Sequence, residues 1–191
     1  MICRAGFVWA TPQHFNRFIE ECGISCELVT PHMLAAPFFR PTLNCLIIPT
    51  GFANPAYSNL LPALRASSPR IQRFVENGGS LLVFGAAADN PDAYDWLPFR
   101  VMYRHDCHPR SITFAAGSGT RSIIDDYDPA AIECDGIFPE HGGDGVGTGE
   151  SAAVIIEKHI GKGIIVVTSI HEYPSRRFLK DFCAAGSPTA F

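Results

Sequence analysis

The stretch SIHEYPS, residues 169–175, brings His171, Glu172 and Tyr173 to the end of an apolar run. Imidazole titrates near neutrality, which makes His171 a candidate general base and catalytic residue, with Glu172 as the acid beside it. Adjacent residues of an extended segment face opposite ways, so Glu172 is poorly placed to orient His171. A second stretch, LLVFGAAADN at 81–90, reads as a buried strand that enters a turn of very small residues. Turns of that kind lift a nucleophile above a sheet, and small neighbours avoid clashes there. No Cys, Ser or Thr stands in this one. Asp89 offers an acid–base partner for His171, although before Asn90-Pro91 it reads more simply as a helix cap.

The densest group of ligand-type side chains is YRHDCHPR, residues 103–110. His105, Cys107 and His108, joined by Cys134 or His141, offer imidazole and thiolate to zinc. The spacing lacks the form of known zinc motifs, and the plainer reading is a surface loop with incidental histidines. Cys107 or Cys134 could also bring a thiol to His171, but neither follows a strand into a helix N-terminus, where a thiol pKa falls. GGDGVGTGE, residues 142–150, follows a Pro-Glu-His turn and precedes a strand. It lacks the helix dipole of a phosphate loop and reads as a mobile loop placed to act as a lid. No cofactor is expected.

The elements that must position these groups alternate in the first half. Residues 2–9 are strand-like; Thr11 and Pro12 then open a helix with Phe15, Phe18, Ile19 and Cys22 on one stripe and Gly23 as its stop. SCELVT, NCLIIP and SLLVFG give three more strands. Before the last of them a helical region follows the loop TGFANPAYSN, its later part the better defined, with Ser68 as cap, Pro69 in the first turn, Ile71, Phe74 and Val75 inward and NGG as the stop. The second half is loop-rich, with an exposed strand at RSITF and a turn at GSGT. A hairpin follows, in which AAVIIEKH and IIVVTSIHE flank IGKG. A last helix begins near Ser175 and carries Phe178, Leu179 and Phe182 on one face. This order predicts a flavodoxin-like α/β fold, a three-layer parallel sheet with an added antiparallel β-hairpin, as a single domain over 1–191.

The segments LIIPTGF (46–52), FVENGGSLLVFG (74–85) and GKGIIVVTSIHEYPS (161–175) resemble the class I glutamine amidotransferase-like superfamily, especially its trehalose-utilisation-like (ThuA-like) and other uncharacterised branches. The resemblance implies a cysteine in a Gly-x-Cys-x-Gly turn, a histidine near the end of the C-terminal strand and a glutamate two residues after it. Gly85 matches the first glycine, Ala87 takes the cysteine's place and Asp89 replaces the second glycine. His171 matches the histidine, and Tyr173 stands where the glutamate would be. The family's Gly-Gly after the third strand reads Thr50-Gly51. Without a thiolate no acyl intermediate forms, so glutamine hydrolysis is not expected.

The strand ends deliver WATPQ, PTGFANP, GAAADN and SIHEYPS to one crevice. Its polar groups are Thr11, Gln13, Thr50, Asn54, Asp89, Asn90, His171, Glu172 and Tyr173. Thr50, Gly51, Ala87, Asp89, Asn90, His171 and Tyr173 are the candidate ligand-binding residues for a small polar metabolite or carbohydrate. The alternatives are a hydrolase or isomerase with His171 as general base, and an interaction module without catalysis. Of Trp96, Phe99, Tyr103, Phe138 and Tyr173 most are expected in the core, and those left exposed could stack on a sugar or pack in a homodimer.

The 191 residues are 47% hydrophobic and 18% charged with net charge -4, which gives no electrostatic footprint for nucleic acid or anionic membrane. Seven cysteines without paired spacing suit a reducing compartment, and no stretch reads as a leader or membrane span, so a cytoplasmic location is expected.

Overall fold

The computed structural model describes residues 3–150 and 152–191; Met1, Ile2 and Ser151, and with them the expected strand start at Ile2, lie outside the described residues. Five strands run parallel in the order β2 (Ser25–Val29), β1 (Arg4–Val8), β4 (Cys45–Ile48), β5 (Ser80–Val83) and β11 (Gly163–Thr168). Every residue of β4 and β5 is buried, as strands covered on both faces require. On one face lie α2 (Pro31–Ala35) and α3 (Leu61–Glu76), which insert Leu34, Ile71, Phe74 and Val75. On the other lie α1 (His14–Glu21) and α4 (Arg176–Ala185), with Phe15, Ile19, Phe178, Leu179 and Phe182. The result is the flavodoxin-like three-layer arrangement expected from the strand–helix alternation.

The antiparallel part is larger than the expected hairpin. Beyond β11 the sheet continues through β10 (Ala152–Ile160), β8 (Ile132–His141) and β6 (Val101–Arg110). β9 (Asp144–Gly149) pairs with β10 and with β7 (Ile112–Phe114). The segment 103–110 is therefore strand rather than surface loop, and 144–149 is strand rather than a mobile lid. Glycines in 144–149 stand where side chains would mark the alternation, and register shifts against β8 break the period of two in 103–110. A Cβ on Gly147 would come 2.9 Å from Ile155, and one on Gly149 would come 2.9 Å from Arg110. These glycines permit close strand packing. GSGT leads into a 3-10 helix, Gly119–Ile124. A two-stranded sheet joins β3 (Thr42–Leu43) to β12 (Thr189–Ala190).

Helix boundaries also depart from expectation. Gln13 rather than Thr11 caps α1, in a capping box with Asn16. α3 runs unbroken through Pro69. The Ser67 hydroxyl donates to the Leu34 carbonyl at 2.8 Å and that of Ser68 to Trp96 at 2.7 Å, so both tie the helix to its neighbours instead of opening a new one. No helix follows Asp89-Asn90-Pro91: the Asn90 side chain accepts from the Asp92 amide at 3.1 Å, a turn, and the chain continues in turns while burying Tyr94 and Trp96. Of the five candidate aromatics Trp96, Tyr103 and Phe138 are core, as expected of most of them: Tyr103 on β6 and Phe138 on β8 pack against Tyr94, and Trp96 packs on Phe52. No helix among the described residues is long and apolar enough to cross a membrane.

Candidate active site

The turn after β5 runs through small residues and displays no thiol or hydroxyl. Ala87 has φ +48°, a left-handed conformation that a residue with a Cβ adopts at a cost. The turn is fastened from the loop after β4: the Gly51 amide donates to the Gly85 carbonyl at 2.8 Å, and the Asn54 side chain donates to the Ala87 carbonyl at 2.7 Å. Gly51, at φ +85°, thus spends on the turn itself the amide that the resemblance offers to an oxyanion. From below, the Tyr94 hydroxyl donates to Phe84 at 2.9 Å.

His171 lies just past β11, its side chain 62% exposed. Its backbone amide donates to the Glu133 carbonyl at 2.8 Å. Its Nδ1 lies 3.0 Å from Oδ1 of Asp135, a carboxylate on β8 that is 4% exposed. Burial holds Asp135 above the usual carboxylate range, against the pull of His171 and, more weakly, of His105. A carboxylate at Nδ1 selects the tautomer with its proton there, leaving Nε2 as the proton-accepting atom. The other oxygen, Oδ2, is buried with no hydrogen-bond partner among the described residues and packs against Gly85. Any side chain at Gly85 would occupy the place of this carboxylate. The first glycine of the turn is thereby explained by Asp135 as well as by the turn's own backbone.

Glu172 faces elsewhere, as the alternation of an extended segment requires: its Oε1 accepts from the Glu133 amide at 2.8 Å. His171 and Glu172 nevertheless border one cavity of about 190 Å³, with Tyr173, Thr50, Gln13, Phe7, Trp9, Phe15, Pro49 and Phe84. Tyr173 stacks on Phe15, ring centroids 4.6 Å apart and planes 10° from parallel. Of the candidate ligand-binding residues, Thr50, His171 and Tyr173 line this cavity, while Gly51, Ala87, Asp89 and Asn90 do not. Gly51 is buried, Ala87 and Asn90 are partly covered, and Asp89 is exposed. The acid that meets His171 is Asp135, not Asp89 or Glu172.

The candidate metal ligands His105, Cys107 and His108 are spread along β6. His105 Nδ1 lies 3.2 Å from the Tyr103 hydroxyl, and His108 Nδ1 lies 3.1 Å from Asp106, while Cys107 is exposed. Among the described residues no three His, Cys, Asp or Glu side chains are grouped to hold a metal ion. Neither candidate thiol is activated. Burial pushes Cys134 up to about 12, and desolvation with the Asp135 and Glu133 charges raises Cys107.

No protein-family model matches the chain, and no curated protein matches it. Solved structures do. A proposed GMP synthase component from Thermoplasma acidophilum superposes with a TM-score of 0.61 at 12% identity, covering 97% of this chain and 94% of its own. A cytoplasmic protein from Salmonella typhimurium LT2 gives 0.54 at 12% identity, over 95% and 96%. A β-galactosidase from Bacillus circulans sp. alkalophilus gives 0.59 at 10% identity over 97% of this chain but only 32% of the enzyme. The likeness is one of fold. It supports the flavodoxin-like α/β fold that the alternation of strands and helices predicted.

Asp135 is the residue of this candidate site that sequence reasoning missed. It sits in IECDGIFPEH, where Asp-Gly between apolar residues reads as a turn. Gly136 instead allows close approach, since a Cβ there would meet the Tyr103 ring at 2.8 Å. The signal in the sequence was a carboxylate inside a run otherwise fit for a buried strand, a position that needs a partner.

Proposed function

We propose that this chain is an amidotransferase-like protein of the ThuA-like kind, without glutaminase activity, that binds a small polar metabolite or carbohydrate at the strand C-termini. The observation that carries the reading is His171, fixed at Nδ1 by a buried carboxylate and bordering an aromatic cavity beside a turn whose nucleophile position is Ala87. A cytoplasmic location and a homodimer belong to the same proposal, the second to be checked by light scattering.

The two tryptophans supply the test. Trp9 lines the cavity and Trp96 is 1% exposed in the core, so a cavity ligand perturbs Trp9 emission against a constant background. Titration with monosaccharides, hydroxy acids and small amino compounds is expected to give a saturable change with at least one class, and glutamine is expected to release no ammonia. If no compound moves Trp9 emission, or if glutamine is hydrolysed, the reading fails.

A second reading, a hydrolase or isomerase with His171 as general base, is favoured by the same 3.0 Å contact to Asp135. Turnover of any substrate found by the titration should then fall about 10²-fold or more in His171→Ala. Binding without turnover would leave the first reading alone.

A further inference from the structure

Resting on the reading that the cavity beside His171 is a ligand site, we propose that its occupant is a small organic cation, a quaternary or alkylated ammonium group held by aromatic rings and the Glu172 carboxylate. The cavity is bordered by five rings, those of Phe7, Trp9, Phe15, Phe84 and Tyr173, and, among the described residues, by no lysine or arginine. The face of an aromatic ring is its negative pole, so a cation gains from ring contacts that a neutral group of the same shape does not. A volume of about 190 Å³ is below the range that holds drug-sized ligands and matches a group of few heavy atoms.

The charged groups around the cavity point the same way. Glu172 borders it, and its Oε2 is buried with no hydrogen-bond partner among the described residues, although Oε1 is satisfied by the Glu133 amide. A buried carboxylate oxygen without a donor is costly and is relieved by a positive ligand. The nearby Asp135 carboxylate, bonded to His171, adds negative potential. A cation close by, Arg176, lies with its guanidinium carbon 4.8 Å from the Phe18 ring centroid and is paired with Glu21 at 2.9 Å. Phe18 in turn contacts Tyr173, with centroids 5.2 Å apart. The outer side of this aromatic group therefore already accepts a cation, and its charge is neutralised by Glu21.

The experiment compares choline with 3,3-dimethylbutan-1-ol, its uncharged counterpart of the same shape, by Trp9 fluorescence on the full chain, with tetramethylammonium and glucose as further probes. Choline is expected to bind at least about tenfold more tightly than the alcohol. Glu172→Gln, which keeps the oxygen that accepts from Glu133, is expected to narrow that preference by weakening choline, the rings retaining the remainder. Equal affinity for choline and the alcohol overturns the cation proposal and leaves a cavity that binds by shape. Response to glucose alone overturns it in favour of a carbohydrate site. Response to none of the four probes overturns the cation proposal, while the ligand-site reading then stands or falls by the wider titration above. Because the decisive comparison uses the unmodified protein, poor folding of Glu172→Gln would not remove the test.

Discussion

Two corners of the crevice have been treated differently. At the end of β5 the backbone keeps a strained turn, with Ala87 at φ +48° and bonds from Gly51 and Asn54 holding it, yet no reactive side chain is displayed. At the end of β11 an imidazole is displayed and a buried carboxylate orients it. The first corner has shape without chemistry; the second has chemistry supplied from β8, a strand outside the parallel core. The contrast teaches that a turn's steric demands can persist through its packing alone, while an acid–base pair can be assembled from whichever strand reaches the histidine. Gly85 joins the corners, because its missing side chain makes room for Asp135.

The largest expected effect comes from closing that gap. Gly85→Ala places a methyl where the Asp135 carboxylate sits, inside a buried region with little freedom to move, and should cost about 3 kcal/mol. Urea unfolding would measure it. Because the clash is with one side chain, Gly85→Ala combined with Asp135→Ala should lose less than the sum of the two single variants. Strict additivity would mean that the corners are independent.

Asp135→Asn sharpens the second corner through pH. Burial raises Asp135 in the folded protein above its unfolded value, so both states are protonated at low pH and its contribution is then fully present. As pH rises, the unfolded chain ionises first and stability declines until the folded-state value is passed, after which it levels. Asparagine removes this slope. The stability of Asp135→Asn relative to the parent should therefore improve as pH rises from the unfolded carboxylate range, and thermal melts across that range would show it. A constant difference would mean that Asp135 titrates alike in both states.

How much of this was legible in the sequence follows the same division. The parallel core was readable because its signals are local: all-apolar β4 and β5, the stops at Gly23 and Asn77-Gly78-Gly79, and the Ser175 cap of α4. The antiparallel extension was not, because Gly145, Gly147 and Gly149 and the offsets in β6–β8 pairing erase the period of two. The candidate site inherits the difference. His171 and Ala87 stand at the ends of legible strands, whereas Asp135 belongs to β8 and reaches His171 by a contact 36 residues apart in sequence. The cavity's apolar side was hidden in another way. Phe7, Phe15 and Phe84 follow core patterns, and only the fold shows that their rings border a space.

A smaller effect concerns the strain at Ala87. Glycine adopts a left-handed conformation without the Cβ clash but loses more entropy on folding, so Ala87→Gly should stabilise by only about 0.5–1 kcal/mol. A shift in the urea midpoint without a change in slope would show it. Destabilisation instead would mean that the Ala87 methyl makes packing contacts worth more than the strain.

The smallest expected effect is the most informative about the first corner. Ala87→Cys supplies the thiol that the resemblance implies, on a backbone already left-handed at that position. It should nonetheless leave glutamine hydrolysis undetectable. A reactive cysteine needs its pKa lowered, and here no helix N-terminus follows the turn, whose next residues run through Asn90 into successive bends and turns. An acyl transfer also needs donors aimed at the oxyanion, and the Gly51 amide is held 2.8 Å from the Gly85 carbonyl. Alkylation of Ala87→Cys by iodoacetamide at neutral pH should therefore proceed at the rate of an ordinary thiol. Rapid alkylation with ammonia release from glutamine would show that the thiol alone was missing, and that the two corners still form one catalytic site.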